Sequence, residues 1–202
     1  DRKTGHICYQ SHTVDVVDLP GIYSLSPFTQ EEIIAREYVL SDAPDGILNI
    51  VDATNIERNL YLTMQLIALG LPMVIALNFI DDCRAQGIEI NCEALSETLG
   101  VRVIPISARK GENMDKLLGI VTGGMQKPAH QPAYLHGVGA AIGKVARALE
   151  ETQLRRENLP FYALKLLEGD SHVLQTVTLP PAAQKTVETT AAALSSHGCE
   201  DN

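Results

Sequence analysis

Three short apolar runs in this chain each end in a polar motif, and these motifs constrain the fold more than any other feature. The runs cover residues 14–17, 73–77 and 101–106, and the motifs that follow them are Asp18-Leu19-Pro20-Gly21, Asn78-Phe79-Ile80-Asp81 and Ser107-Ala108. Short apolar runs bounded by turn residues are typical of buried strands. Because the carboxyl ends of parallel strands meet at one edge of an α/β sheet, we expect the three motifs to form one ligand site.

Segments of strand and helix character alternate from residue 13 to residue 121. The pattern predicts strands at 13–18, 46–51, 73–77 and 101–106, and helices at 30–40, 55–69, 91–99 and 114–121. Asn91 and Asn113 are placed to cap the last two helices, and Gly70 and Gly100 follow the ends of the helices at 55–69 and 91–99. Alternating βα units favour an α/β fold with a mostly parallel sheet flanked by helices.

The pattern changes after Gly123 and Gly124. Residues 127–132 include Pro128 and Pro132, and this segment continues neither a helix nor a central strand. Beyond it, helical spacing recurs at residues 138–154, 161–167 and 183–194. We therefore predict two domains, an α/β domain at 1–126 and a small all-helical domain at 127–202.

Composition excludes several classes of protein. The 202 residues carry a net charge of -9, and such an acidic surface argues against a nucleic-acid partner. No stretch approaches the roughly 18 apolar residues that span a bilayer, and no secretion signal is visible, so we expect a cytoplasmic location. The four cysteines and six histidines are dispersed, which indicates reduced thiols and no iron site built from these residues.

Asp18 and Gly21 have the spacing of a phosphate-binding motif. A carboxylate at a strand end can hold Mg²⁺ through a water, and a glycine three residues later can offer its backbone N–H to a terminal phosphate. Loss of that phosphate releases the segment that follows, so residues 21–36 are the predicted mobile switch. An ordinary turn uses the same residue types, and this motif alone does not decide between the two.

Asn78 and Asp81 have the residue types that distinguish guanine from adenine. The Asp81 carboxylate can accept parallel hydrogen bonds from the N1–H and 2-amino groups of guanine, a donor pair that adenine lacks. Asn78 would brace the loop, while Ser107 and Ala108, followed by Arg109, would close over the base. A capping loop before a helix is the alternative for 78–81. The order of the three motifs, each at a strand exit, favours a guanine nucleotide.

These motifs and several longer stretches resemble a known family. The order Asp-x-x-Gly, Asn-x-x-Asp and Ser-Ala is similar to the third, fourth and fifth motifs of the translation-factor-like P-loop GTPases. The stretches DRKTG (1–5), DLPGIYSL (18–25), VDATNIERNL (51–60), ALN (76–78) and KLLEGD (165–170) resemble the cytoplasmic N-terminal domain of FeoB-type ferrous iron transporters. The resemblance implies a P-loop GTPase-like domain followed by a helical spacer, which together regulate or power Fe²⁺ uptake.

The resemblance also implies a set of ligands and partners. The nucleotide-contacting residues carried over are Asp18, Leu19, Pro20, Gly21, Asn78, Phe79, Ile80, Asp81, Ser107, Ala108 and Arg109. Asp18 is the implied metal ligand, and the cofactors are GTP or GDP with Mg²⁺, and K⁺ in addition. The implied partner is a C-terminal transmembrane Fe²⁺ transport region of the same full-length protein at the inner (plasma) membrane, and a second copy of the chain is a further candidate.

The sequence departs from the GTPase pattern in two ways, a missing motif and one substituted position. No Gly-x-x-x-x-Gly-Lys-[Ser/Thr] occurs in these residues, so we expect the first strand and the P-loop to be missing from this chain and hydrolysis here to be weak or absent. Ile22 stands where many GTPases have a glutamine that orients the attacking water, so no catalytic residue is assigned and hydrolysis should be slow. The alternatives are a nucleotide-free, truncated GTPase-fold interaction module and an unrelated enzyme that binds a phosphorylated metabolite.

Overall fold

The computed structural model describes residues 3–26, 29–42, 44–130, 134 and 137–197 of the chain. The chain divides into two compact units, Asp1–Gln131 and Pro132–Asn202. The sequence pattern indicates a boundary slightly earlier, between residues 126 and 127. Residues 126–130 stay with the first unit because the Met73 amide donates to the Gln126 carbonyl (2.9 Å) and the Ala129 amide to the Gly100 carbonyl (2.8 Å).

The first unit begins with a β-hairpin. Strand β1 (Lys3–Tyr9) pairs antiparallel with β2 (His12–Asp18), in a register that sets Lys3 opposite Asp18. The predicted strand at 13–18 therefore exists, but the expectation that it lies in the same parallel sheet as the other two motif-bearing strands is wrong. A turn at residues 10 and 11, with Gln10 at φ 52°, folds β2 back on β1, and this local pairing determines its neighbour.

Three further strands form a parallel sheet in the order β3 (Ile47–Asp52), β4 (Met73–Asn78), β5 (Arg102–Pro105). The central strand β4 is apolar from Met73 to Leu77, and every one of these side chains is buried. A parallel strand with covered faces needs such a continuous apolar run. The predicted α/β class with a mostly parallel sheet is confirmed, followed by a helical unit.

Among the described residues of this unit, five α-helices accompany these strands: α1 (Gln30–Glu37), α2 (Ile56–Ala68), α3 (Ile80–Ala85), α4 (Cys92–Leu99) and α5 (Met114–Gly123). Asn91 caps α4 through its side chain, and Gly100 ends it with φ 64°, as the sequence predicts. Asn113 precedes α5 but makes no side-chain cap, because it adopts φ 60° and donates instead to the Pro105 carbonyl at 2.7 Å. Helix α1 is shorter than predicted, since a π turn follows it at Tyr38–Asp42.

One face of the parallel sheet is only partly covered. Leu117 of α5 packs on this face against Val74 and Ala76 of β4. Leu48 and Ile50 of β3 are paired with those two residues and share the same face, yet they are 37% and 63% exposed. Helix α5 also contacts the hairpin strands β1 and β2. The hairpin and the sheet thus flank the same helix, with apolar side chains of β3 uncovered beside it.

The second unit is helical wherever the structure describes it. Its helices are α6 (Val138–Ala148), α7 (Leu159–Leu167), α8 (Ser171–Thr176) and α9 (Pro181–His197). Their core includes Val145, Leu149, Leu166 and Val173. Gly169 follows α7 with φ 71°, and the buried Lys165 ammonium bonds the Glu168 carboxylate at 2.8 Å. Within the described part of the chain, no helix has the length and apolar character needed to cross a bilayer.

Candidate functional site

The ends of β4 and β5 are joined by hydrogen bonds that continue beyond the sheet. The Ile106 amide donates to the Leu77 carbonyl at 2.8 Å, and the Ile80 amide donates to the Ile106 carbonyl at 3.3 Å. The Asn78 side chain adds a third link, because its Oδ1 accepts from the Ala108 amide at 3.1 Å. Asn78 therefore braces the loop after β5, and the second and third motifs lie together.

A left-handed residue places Asp81 at this edge. Phe79 has φ 64° and a half-exposed ring, and α3 begins directly after it. Ile80 is buried, and Asp81 follows it in the first turn of α3. The Asp81 side chain is only 4% exposed. Because an aromatic residue in the left-handed region is uncommon, the geometry of this turn is a specific feature of the site.

The loop after β5 is closed on itself. The backbones of Ser107 and Glu112 exchange hydrogen bonds at 3.1 and 3.3 Å, and the Lys110 amide donates to the Ser107 hydroxyl at 3.3 Å. Ser107 is buried, whereas Arg109 is exposed. The loop therefore holds Ser107 and Ala108 in place and projects Arg109 from its tip.

Arg109 and Lys110 both contact the Asp81 carboxylate. Arg109 Nη2 donates to Asp81 Oδ2 at 2.7 Å and to Asp82 Oδ1 at 2.9 Å, and Lys110 Nζ lies 3.3 Å from the same Asp81 oxygen. The hydrogen bond from Arg109 holds the pKa of Asp81 well below its usual range, burial opposes this, and the Ser107 hydroxyl and Lys110 add to the lowering. The same bond raises the pKa of Arg109. Asp81 is thus an ionised hydrogen-bond acceptor.

Asp52 is a further polar residue at this edge, at the end of β3 and opposite Asn78 in the register. Its carboxylate accepts from the Thr54 amide (2.8 Å), the Thr54 hydroxyl (2.7 Å) and Asn55 Nδ2 (3.1 Å). Burial raises the pKa of Asp52, but these hydrogen bonds outweigh it and the net shift is downward. Sequence reasoning did not include Asp52 among the site residues, although a polar residue after the apolar run 46–51 is the signal that identified the others.

Asp18, Leu19, Pro20 and Gly21 lie at the end of the hairpin. The Asp18 side chain is exposed, and Leu19 and Pro20 are half-buried. Apart from Gly21 and its two chain neighbours, no heavy atom lies within 4 Å of the position that a Cβ on Gly21 would take. A groove of about 290 Å³ beside Asp18 is lined by residues 3–7 of β1 and by Val16. None of its lining residues belongs to the group around Asp81. The structure therefore brings Asn78, Phe79, Ile80, Asp81, Ser107, Ala108 and Arg109 together, and Asp18–Gly21 form a separate group.

The chain after Gly21 is anchored to the helices. The Leu25 amide donates to Gln65 Oε1 on α2 at 2.7 Å, and Arg36 Nη1 on α1 donates to the Leu25 carbonyl at 3.3 Å. The Arg58 guanidinium stacks on the Tyr23 ring, 3.7 Å from its centroid. Residues 27 and 28 of the predicted switch lie outside the described residues. These contacts with α1 and α2 hold the predicted switch in this conformation up to Leu25.

Side chains able to bind a metal ion are scattered across the described residues. Within those ranges, no three His, Cys, Asp or Glu side chains are placed to hold a metal ion together. A metal at Asp18 would therefore take most of its ligands from water, from a bound phosphate or from groups outside the described residues.

Among the described cysteines, Cys83 is fully buried in α3, and burial together with nearby carboxylates raises the pKa of its thiol.

Two family models together match most of the chain. Residues 1–121 match the model described as Ferrous iron transport protein B, and residues 134–202 match the FeoB cytosolic helical domain. The Fe(2+) transport protein A/Fe(2+) transporter FeoB fusion protein of Porphyromonas gingivalis is 36% identical over 192 residues, which are 90% of this chain and 22% of that relative. The Fe(2+) transporter FeoB of Escherichia coli (strain K12) is 45% identical over 121 residues, 58% of this chain and 16% of that relative.

Solved structures give the same relationship. The crystal structure of mGMPPNP-bound NFeoB from S. thermophilus has a TM-score of 0.84 and 40% identity, with 96% of this chain and 73% of that chain covered. NFeoB from S. thermophilus bound to GDP.AlF4- and K+ has a TM-score of 0.84 and 41% identity, with 96% and 76% covered. The chain spans about a fifth of the length of the curated relatives it matches, at 22% and 16%. Because one model covers more than half of it, the chain belongs to the FeoB family of ferrous iron transport proteins, as an N-terminal G domain followed by the cytosolic helical domain.

Proposed function

We propose that this chain is the guanine-nucleotide switch of a ferrous iron transporter, which binds GTP and hydrolyses it slowly. The observation that carries the proposal is the group formed by Asn78, Asp81, Ser107 and Ala108 at the joined ends of β4 and β5. A buried, ionised carboxylate held at the rim of a sheet is a selective acceptor for a planar pair of N–H donors. Relatives bound to mGMPPNP and to GDP.AlF4- have the same fold.

Each residue of the base group has a distinct role in this proposal. Asp81 accepts from guanine N1–H and the 2-amino group. The Ala108 N–H donates to Asn78 Oδ1 and would exchange that bond for guanine O6 when the base is bound. Adenine offers no such donor pair, so it gains no hydrogen bonds from Asp81. Phe79, with its half-exposed ring, lines this rim, the buried Ile80 follows it, and Arg109 lies against Asp81. Selectivity for guanine follows from the hydrogen bonds to Asp81 that guanine can form and adenine cannot.

The phosphate end of the site is assigned to Asp18, Leu19, Pro20 and Gly21. The exposed carboxylate of Asp18 suits a water-mediated bond to the Mg²⁺ that accompanies a nucleotide, with phosphate oxygens as the other ligands. The open space at Gly21 lets a γ-phosphate approach its backbone N–H. The uncovered Leu48 and Ile50 beside α5 suit a further strand and helix, so we propose that the phosphate loop is supplied by a segment outside residues 1–202.

Hydrolysis is proposed to be slow because Ile22 follows Gly21. An aliphatic side chain cannot orient the attacking water, so backbone groups or a bound cation must do so. NFeoB from S. thermophilus has been crystallised with GDP.AlF4- and K+, and we propose that K⁺ serves this chain in the same way. No catalytic side chain is assigned among the residues of this chain.

The switch is proposed to act on a membrane region elsewhere in the full-length protein. The curated relatives are Fe(2+) transporters of which this chain covers about a fifth, at 22% and 16%. The helical unit would connect the G domain to that region on the cytoplasmic side, and a second copy of the chain is a further partner. Loss of the γ-phosphate would free the segment after Gly21, and that change would regulate Fe²⁺ uptake.

One observation favours a second candidate, a nucleotide-free interaction module. Asp81 is already paired with Arg109 and Lys110, and the groove beside Asp18 does not extend to it. Under this alternative the group around Asp81 is a structural ion-pair cluster. It would then bind guanine and adenine nucleotides equally weakly.

Nucleotide titrations separate the two candidates. GDP, GTP, XTP and ATP are titrated against this chain and against a longer protein that also contains about 50 upstream residues, roughly the length of a strand, phosphate loop and helix. We expect guanine nucleotides to bind more tightly than ATP, most clearly in the longer protein, and Asp81→Asn to shift the preference to XTP. Equal affinity for ATP and GTP in the longer protein would refute the proposed function.

A further inference from the structure

The acceptor proposed for guanine is already occupied by a side chain of this protein. Arg109 Nη2 donates to Asp81 Oδ2 at 2.7 Å, and Lys110 Nζ lies 3.3 Å from the same oxygen. A guanidinium presents coplanar N–H donors, as does the N1–H and 2-amino edge of guanine. Arg109 thus resembles the base in the one feature that Asp81 recognises. Together with Lys110 it already uses both lone pairs of Oδ2, so a guanine donor to this oxygen must displace one of them.

The position of Arg109 allows it to leave without disturbing the core. Its side chain is 67% exposed, whereas Asp81 is 4% exposed. The loop behind it is held by bonds that do not involve the guanidinium, between the Ser107 and Glu112 backbones and between Asn78 and Ala108. The interaction that Arg109 makes with Asp81 can therefore break while the backbone of the site stays in place.

A second carboxylate gives Arg109 an alternative partner. Arg109 Nη2 also donates to Asp82 Oδ1 at 2.9 Å, and the Asp82 side chain is 39% exposed. Once released from Asp81, the guanidinium keeps this bond and stays paired at the surface. Asp82 therefore lowers the cost of vacating Asp81.

We infer that Arg109 is a gate residue of the base site, which pairs with Asp81 and must give up that bond, keeping the one to Asp82, before guanine binds. This inference rests on the proposed function, because it assumes that Asp81 accepts the base. When only a fraction of molecules has a free binding group, the apparent dissociation constant is raised by that fraction. Arg109 thereby lowers the affinity for guanine nucleotides and slows their association.

Binding of GMP to three variants of this chain tests the gate. GMP carries the base without the β- and γ-phosphates, and AMP is the matched nucleotide control. Arg109→Ala should bind GMP at least about fivefold more tightly than the wild type. Arg84→Ala is the matched control variant, because it removes another arginine of this rim, whose partner is Glu112 at 2.8 Å and not Asp81. Asp82→Asn should bind GMP more weakly, because Arg109 then has no second partner.

Long-range charge effects alone predict the opposite change in GMP affinity for both Arg109→Ala and Asp82→Asn. Removing a cation from a chain of net charge -9 weakens the binding of an anionic nucleotide, and removing Asp82 strengthens it. If Arg109→Ala binds GMP no more tightly than Arg84→Ala while the wild type still prefers GMP to AMP, the gate is refuted and the proposed function stands. If neither the wild type nor Arg109→Ala distinguishes GMP from AMP, both are refuted. If Arg109→Ala does not fold, Asp82→Asn tests the gate alone: weaker GMP binding supports it, and stronger or unchanged binding refutes it.

Discussion

The two halves of the proposed nucleotide site differ in how far they are built in this chain. The base half lies at the ends of β4 and β5, where buried strands, the Asn78 to Ala108 bond and the closed loop 107–112 fix the position of each group. The phosphate half lies at the end of a two-stranded hairpin, with an exposed Asp18 and open space around Gly21. Both halves belong to the first compact unit, yet only the base half is supported on a packed parallel sheet.

This difference indicates where specificity and where affinity reside. Such an acceptor selects the base with little reorganisation of the backbone, because the strand ends and the loop are already ordered and only the Arg109 side chain has to move. The phosphate half gains its contacts only when a nucleotide, its metal ion and the proposed phosphate loop are present. We therefore expect selectivity for guanine to survive in this chain even where affinity is low.

Asp81→Asn is the change with the largest expected effect on the base half. It removes the acceptor for guanine N1–H and the 2-amino group, so we expect GTP affinity to fall by ~10³-fold and XTP to become the preferred ligand. Competition titrations in the longer protein measure both affinities. Asp52→Asn alters an aspartate at the neighbouring strand end and serves as the matched control. A parallel loss in both variants would mean that the effect is not specific to Asp81.

Truncation of one side chain in each half tests the difference in packing. Leu77 is fully buried at the end of β4, so Leu77→Ala should lower the free energy of unfolding of the first unit by ~2–5 kcal/mol. Val16 is half-buried in β2, and Val16→Ala should cost less than ~1 kcal/mol. Urea unfolding followed by amide signals of the first unit gives both values. Equal losses would show that the hairpin is as firmly packed as the sheet.

Asn78→Ala tests the bond between the two strand ends. Removing Oδ1 leaves the Ala108 amide without its acceptor, which should cost ~1 kcal/mol of unfolding free energy and about tenfold in guanine affinity. Asn55→Ala is the control, since Asn55 is an exposed residue directly before α2 that donates to Asp52 instead. Calorimetric titration with GDP compares the two. The brace is unnecessary if both variants bind GDP like the wild type.

The smallest expected effect concerns pH. Because the folded pKa of Asp81 lies below its unfolded value of about 3.9, its ionised form contributes stability above that value, and this contribution is lost as the pH falls through the folded pKa. Carboxyl ¹³C signals should therefore show Asp81 still ionised at pH 4, and Arg109→Ala should move its midpoint upward. An Asp81 midpoint near 4 in the wild type would contradict the observed pairing.

Features determined by local sequence were predictable, and features determined by tertiary pairing were not. The apolar run of β4 and the cap at Asn91 can each be recognised from a few consecutive residues. Strand β1 was not predicted because its residues are mostly polar and include Gly5, and the antiparallel partner of β2 is not encoded in the pattern of β2 itself. Helix α3 has six residues and starts after a left-handed Phe79, which no periodicity reveals.

The same division applies to the site. The order of the motifs predicted that Asn78, Asp81, Ser107 and Ala108 would lie together, since the ends of neighbouring parallel strands meet. That prediction depended on β4 and β5 being adjacent in one sheet, as they are. The prediction that Asp18 lies close to these residues depended on β2 being in the same sheet, but β2 pairs with β1 in the hairpin. The bond from Arg109 to Asp81 joins residues 28 positions apart and depends on loop geometry, which sequence spacing does not determine.

A crystal structure of the chain with GMP tests the central claim most directly. We predict that guanine N1 and its 2-amino nitrogen lie within hydrogen-bonding distance of the Asp81 carboxylate, with the Arg109 guanidinium on Asp82. The proposed function is contradicted if the base binds elsewhere on the protein, and the gate alone is contradicted if GMP binds Asp81 while Arg109 keeps its bond to that carboxylate.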